Sequence, residues 1–229
     1  MARKARLVVP GVPMHVMAKG VDGLTVFPTD ESKLTYLAWL RDAALEYQLD
    51  VHAYVLMPNY LHLLATPSHE DSLARVMQSL GRRYTQNLNQ HRQQVGTIWS
   101  GRFLSSLVDP QEYLLVCQKY IELRPMVEGL VSRPEDYPWS SYRIHVGKEA
   151  NYGLKDAPAF WNLGNTPFER QMNWKIYVDE GLTGAEKEVI TNSLKSGLIT
   201  GHADFLGDIK SRMVSPWVPQ KRGRPKKVQ

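Results

Sequence analysis

Tyr60 and His62 lie two residues apart in a run, Tyr60 to Ala65, that follows the Pro58-Asn59 break and has strand character. Residues two apart on a strand project from the same face, so the phenol and the imidazole point the same way. Two imidazoles at that spacing would make a two-point metal grip. Here one of the two is a phenol, and a single strand histidine is more often a satisfied core residue than a ligand. Tyr120 and Arg124 form a second pair, four residues apart and on one side of an expected helix. A mid-helix tyrosine normally packs in a core, and an arginine beside it is normally an ion-pair or surface group.

The elements that must position these groups can be read from period and punctuation. Met14 to Lys19 alternates as a first strand, and Gly20 ends it. Thr29-Asp30 offers a cap for a helix with Leu37, Leu40, Ala44 and Tyr47 at helical spacing. Val51, Ala53, Val55 and Met57 alternate as the second strand, and Tyr60 to Ala65 is the third. Leu73, Val76, Met77, Leu80, Tyr84 and Leu88 then form one helical stripe, with Arg75, Arg82, Gln86 and Asn89 on the other side. Phe103 to Val108 reads as a fourth strand. Asp109, Pro110 and Glu112 predict the start of the helix carrying Tyr120, and Pro125 predicts its end, with Arg124 biased away from helix. Thr166-Pro167-x-Glu169 and Thr183-x-x-Glu186 are further helix starts. The order predicts an α+β fold, a mostly antiparallel sheet with helices packed on one face. The expected division is a core over 1–145, a loop-rich helical region over 146–220 and a basic tail over 221–229.

Composition narrows the function classes. Of 229 residues 43% are apolar, which suits a packed globular core rather than wholesale disorder. One cysteine excludes a disulfide scaffold. No apolar run approaches the ~20 residues a bilayer span needs, and Leu7-Val8-Val9 before Pro10 is too short for a secretory signal. The expectation is a cytoplasmic chain with no membrane contact. The net charge is +5, and Lys221, Arg222, Arg224, Lys226 and Lys227 account for it. Between Asp71 and Asp109 there is no acid, but there are Arg75, Arg82, Arg83, Arg92 and Arg102 with Tyr84, Trp99 and Phe103 among them. Basic, aromatic-bearing stretches of this kind suit nucleic acid, although a solvated helix face and a solubilising tail would have the same composition.

Four wider strings carry a resemblance. They are Met57-Pro58-Asn59-Tyr60-Leu61-His62-Leu63-Leu64, Trp99-Ser100-Gly101-Arg102-Phe103, Tyr120-Ile121-Glu122-Leu123-Arg124-Pro125 and Asp136-Tyr137-Pro138-Trp139-Ser140-Ser141-Tyr142. In this order the chain resembles the REP-associated tyrosine transposases, the single-tyrosine branch of the HUH endonucleases. Leu7 to Gly11, His15-Val16 and the Arg222-Gly223-Arg224-Pro225 tail look like the same family. The resemblance implies a ferredoxin-like core that binds hairpin-forming, single-stranded DNA. It also implies a His-x-His pair holding Mg or Mn against the scissile phosphate, and a helix tyrosine that forms a 5′-phosphotyrosine. Tyr120 matches the nucleophile and His62 the second metal histidine.

The sequence departs from the family where the metal would sit. Tyr60 replaces the first histidine, and Arg124 replaces the family's metal-facing asparagine. A neutral phenol is a poor ligand for a hard dication, and a guanidinium is none. The loop Lys19-Gly20-Val21-Asp22 also lacks the family's two asparagines. The resemblance with these departures implies a nucleoid-associated DNA-binding protein whose metal-dependent nicking is impaired. The alternative is an active transposase, with Arg124 stabilising phosphate charge in place of the metal. Candidate DNA contacts are Lys19, Arg82, Arg83, Gln86 and Arg102. Trp99 would stack on an unpaired base or simply pack in the core. Arg222 and Arg224 resemble an AT-hook, which enters A·T-rich minor grooves.

Overall fold

A computed structural model describes residues 6–212, apart from Tyr152. The core runs β1 (Met14–Lys19), α1 (Asp30–Glu46), β2 (Leu49–Met57), β3 (Tyr60–Pro67), α2 (Ser72–Arg92), β4 (Leu104–Val108) and α3 (Leu114–Glu122). A one-turn helix, α4 (Arg124–Val127), follows. The C-terminal region holds α5 (Tyr142–His145), α6 (Pro158–Trp161), α7 (Pro167–Asp179), α8 (Gly184–Ser196), β5 (Ile199–Thr200) and α9 (Ala203–Arg212). The sheet order is β2-β3-β1-β4-β5, antiparallel throughout except for the β4/β5 pair. This is the expected α+β class, with the expected elements in the expected order. Because β5 comes from beyond residue 146, the two expected folded segments share one sheet.

Local chemistry explains most boundaries. Thr29 opens α1 through a capping box with Ser32, and Thr166 and Thr183 do the same with Glu169 and Glu186. Gly197, in the left-handed region at φ 68°, closes α8. Gly20 ends β1 at a close approach, where its N–H donates to the Asn59 carbonyl at 2.8 Å. A side-chain carbon at position 20 would fall 2.5 Å from the Leu24 carbonyl oxygen, so only glycine fits.

Alternation on the strands sends side chains to two cores. Val16, Ala18, Leu61 and Leu63 face α1 and α2, and the buried stripe of α2 is the expected one, Leu73 to Leu88. Ala53, Val55, Met57 and Leu64 face the other way, against Leu114, Cys117 and Ile121 of α3. Helices α1 and α2 thus share one face as expected, and α3 covers the second. A third cluster ties Leu123 at the end of α3 to Tyr142, Phe160, Trp174 and Val178.

Two expectations about the Tyr120 helix are corrected. Asp109 Oδ1 accepts from the N–H groups of Gln111 and Glu112, at 2.9 and 3.3 Å, so it closes a turn and α3 begins only at Leu114. Pro125 does not end the helical path, and Arg124 is not turned out of it. Leu123 stays near the helical region, and Val127 and Glu128 donate to the Leu123 and Arg124 carbonyls at 2.9 and 3.0 Å. Proline is tolerated because it falls in the first turn of α4, where its missing N–H has no helical partner to lose.

Candidate functional site

The register of β1 against β3 assembles the site. Lys19 pairs with Tyr60, Met17 with His62 and His15 with Leu64, so Lys19, His15, Tyr60 and His62 all leave the face that α3 covers. Tyr120 on α3 meets them there. Its ring centroid lies 5.7 Å from that of His15 and 5.9 Å from that of His62, both edge-on. The imidazoles of His15 and His62 are fully buried and hydrogen-bonded, Nε2 to Nδ1, at 2.8 Å. The sequence reading had given His15 no role.

Beside His62 stands a closed polar cluster. Tyr60 Oη donates to the Glu128 carboxylate and accepts from Arg124 Nε at 3.0 Å, while Arg124 also pairs with Glu128. The guanidinium carbon sits 5.4 Å from the Tyr120 ring centroid and 5.8 Å from that of Tyr60. Glu128 was missed in the sequence. Its signal was the i, i+4 spacing from Arg124, which the expected break at Pro125 concealed.

The electrostatics follow from burial and from Arg124. His15 is pushed down to about 3 by burial and then by the Arg124 charge. His62 is held well below its ordinary value by burial, then His15 and Arg124. Burial, then the bond to Glu128, pushes the Tyr60 phenol up, against the opposing pull of Arg124. Tyr60 therefore keeps its proton at neutral pH.

These groups do not fit a divalent cation. Tyr60 is neutral and already spends its proton on Glu128, and Arg124 brings a positive charge to the same place. The histidine pair adds a tautomer constraint. His15 Nδ1 is buried without a partner, and an orphaned lone pair costs less than an orphaned N–H. His15 then donates from Nε2 to His62 Nδ1, leaving the remaining His62 nitrogen protonated and without a lone pair. Among the described residues, no three His, Cys, Asp or Glu side chains gather as a metal-holding group.

Residues 14–124 match the family described as IS200-like transposases. A Haemophilus influenzae (strain ATCC 51907 / DSM 11121 / KW20 / Rd) protein described as a REP-associated tyrosine transposase is 28% identical over 113 residues, 45% of this chain and 64% of that one. The match thus spans less than two thirds of that relative. A solved structure of a REP-associated tyrosine transposase bound to a REP hairpin shares the fold, with a TM-score of 0.55 at 16% identity over 69% of this chain and 96% of that chain. A Deinococcus radiodurans protein described as a transposase is 26% identical, with a TM-score of 0.38 over 53% of this chain and 96% of that chain.

The fold brings some of the expected DNA contacts together and separates others. Lys19 is exposed on the Tyr120 face, next to Tyr60. Arg82 and Arg102 line a groove of about 480 Å³ that also includes Ala18 and Trp99, and Ala18 belongs to the opposite face. Arg83 is turned away from that groove and lies over the Trp39 ring of α1 at 4.7 Å. Gln86 is exposed farther along α2 and does not line the groove. Trp99 packs edgewise against Phe27 while its rim forms the groove wall. Arg222 and Arg224 lie outside the described residues. Among the described residues, no helix is long and apolar enough to cross a membrane.

The histidine pair makes the core acid-sensitive. Both imidazoles titrate near 6.5 when unfolded and well below that when folded, so acid favours the unfolded chain. Their contribution is complete above about pH 6.5 and is lost as pH falls below it toward the lowered folded values, about 3 for His15. The groups facing them are Tyr60, Tyr120 and the Arg124 cation, whose acid partner Glu128 is already paired. Urea unfolding at pH 7.5 and 5.0 should show the loss, and a His15→Gln, His62→Asn variant should show a flatter dependence. Equal slopes in the two proteins would refute it.

Proposed function

We propose that this chain binds hairpin-forming, single-stranded DNA and that its metal-dependent tyrosine nicking is impaired. The observation that carries this reading is the Tyr60–Arg124–Glu128 cluster, which occupies the place beside His62 with hydrogen bonds complete and a fixed positive charge. DNA binding is supported by the match to the IS200-like family, the relative described as a REP-associated transposase and the shared fold with a protein bound to a REP hairpin. Residues 1–145 would form the DNA-binding core and 146–220 its helical support. Arg222 and Arg224 would add contact to A·T-rich minor grooves near the nucleoid.

A competing reading keeps the chemistry. Tyr120 lies within ring-contact range of Arg124, which could stabilise negative charge on a phosphate as Tyr120 Oη attacks phosphorus and a 3′ oxygen leaves. Fluorescence anisotropy with a labelled hairpin and a matched duplex tests the binding half. The hairpin should bind more tightly, and Tyr120→Phe should leave its Kd within about twofold, since Tyr120 is buried and the change removes only its hydroxyl. No preference for the hairpin would remove the proposal.

A further inference from the structure

The sheet face away from Tyr120 carries a groove that strand cleavage does not use. Its walls come from α2, the segment before β4 and the N-terminal Arg6. On α2, Ala74, Gln78, Gly81 and Arg82 recur at helical spacing and turn one stripe toward it. Three features point to a ligand. The first is charge: Arg6, Arg82 and Arg102 converge with no acidic side chain in the lining. Arg6 is pulled down to about 10 by burial first and then by the Arg102 charge. The second is an unspent donor. Trp99 Nε1 is buried and has no acceptor, although its ring lines the groove. The third is shape. Phe103 offers a second aromatic wall, with Arg6 stacked 3.5 Å above its centroid, and the space over Gly81 is open.

We propose that this groove holds one unpaired nucleotide of single-stranded DNA, its phosphates on Arg82 and Arg102 and its base against Trp99 and Phe103. A base carbonyl or ring nitrogen accepts from Trp99 Nε1, which a lipid tail or an apolar peptide cannot do. The aromatic walls suit a base because every base has a stacking face, and the guanidiniums suit the backbone. The inference rests on the DNA-binding reading and deepens it. It separates base recognition from the Tyr120 face, so recognition survives a disabled cleavage site.

Gly81 supplies the test. A Cβ there meets nothing within 4 Å and replaces a mid-helix glycine that lines the groove, so Gly81→Leu projects its side chain into the groove. Anisotropy is measured with a hairpin carrying unpaired flanks, the same hairpin trimmed to its stem and loop, and flanked hairpins with one abasic position each. The parent protein should bind the flanked hairpin about tenfold or more tightly than the trimmed one, in line with ~1–3 kcal/mol per stacked base. Gly81→Leu should lose that advantage and bind the trimmed hairpin like the parent. One abasic position should reproduce the loss in the parent and have no further effect in Gly81→Leu. Should Gly81→Leu melt early, Trp99→Phe, which removes the donor ring nitrogen together with the pyrrole part of the aromatic wall, carries the same comparison. Undiminished flank preference in these variants, or silence at every abasic position, would overturn the groove while leaving hairpin binding in place. Failure to bind any hairpin would remove the underlying reading as well.

Discussion

Replacing Tyr60 with His and Arg124 with Asn together should raise Mn affinity by about 100-fold or more. The parent site opposes a dication in two ways: the Arg124 charge repels it, and the Tyr60 phenol is neutral and hydrogen-bonded. The double change removes the guanidinium, adds an imidazole two residues from His62 and frees the Glu128 carboxylate from both partners. His62 must also reverse its hydrogen bond with His15, donating from Nδ1 so that its other nitrogen gains a lone pair. Single changes should do far less. Arg124→Asn alone leaves the phenol, and Tyr60→His alone leaves the cation beside two imidazoles. Calorimetric Mn titrations of the four proteins measure this, and an unchanged affinity in the double variant would mean that the cluster is not what excludes the metal.

Glu122→Leu should cost about 3–5 kcal/mol of stability, the range for removing one member of a buried charged network. Glu122 is fully buried two residues after Tyr120, and its carboxylate accepts from Ser141 Oγ at 2.6 Å, His145 Nδ1 at 2.5 Å and Trp174 Nε1 at 2.9 Å. Three donors from α5, α7 and the segment between α4 and α5 therefore converge on α3, the helix of Tyr120. Ser141 also accepts from the Tyr54 N–H, which ties the network to β2. Leucine fills the volume but strands the His145 and Trp174 donors, while Ser141 Oγ keeps the Tyr54 carbonyl at 3.3 Å. At roughly 2–4 °C per kcal/mol for a chain of this size, the melting temperature should drop by about 10 °C. A loss below ~1 kcal/mol would show that water reaches the donors and that the network does not brace the helix.

What could be read from the sequence was local. Alternation at Met14 to Lys19, the stripe from Leu73 to Leu88 and the threonine caps at 29, 166 and 183 depend only on neighbours within a turn or a strand. The site was legible where one element carried it, as with Tyr60 beside His62 and Tyr120 beside Arg124. It was not legible where elements meet. His15 reaches His62 only through the β1/β3 register, which no feature of either strand reveals alone. Glu128 vanished behind a proline rule that holds inside helices but not at a first turn. Arg83 and Arg82 are chain neighbours, yet one lies on Trp39 and the other in the groove, a difference set by where α1 packs. The pair β4/β5 rests on two residues, too few for any periodicity.

If DNA recognition persists while Tyr60, Arg124 and Glu128 disable the metal-dependent cleavage step, binding and cleavage separate in one experiment. The most direct measurement incubates the parent protein with Mn and a labelled, flanked hairpin at concentrations where anisotropy shows full binding, followed by denaturing electrophoresis. Complete binding and no protein-linked DNA are expected. A covalent adduct formed by the parent and lost in Tyr120→Phe would contradict a disabled cleavage step.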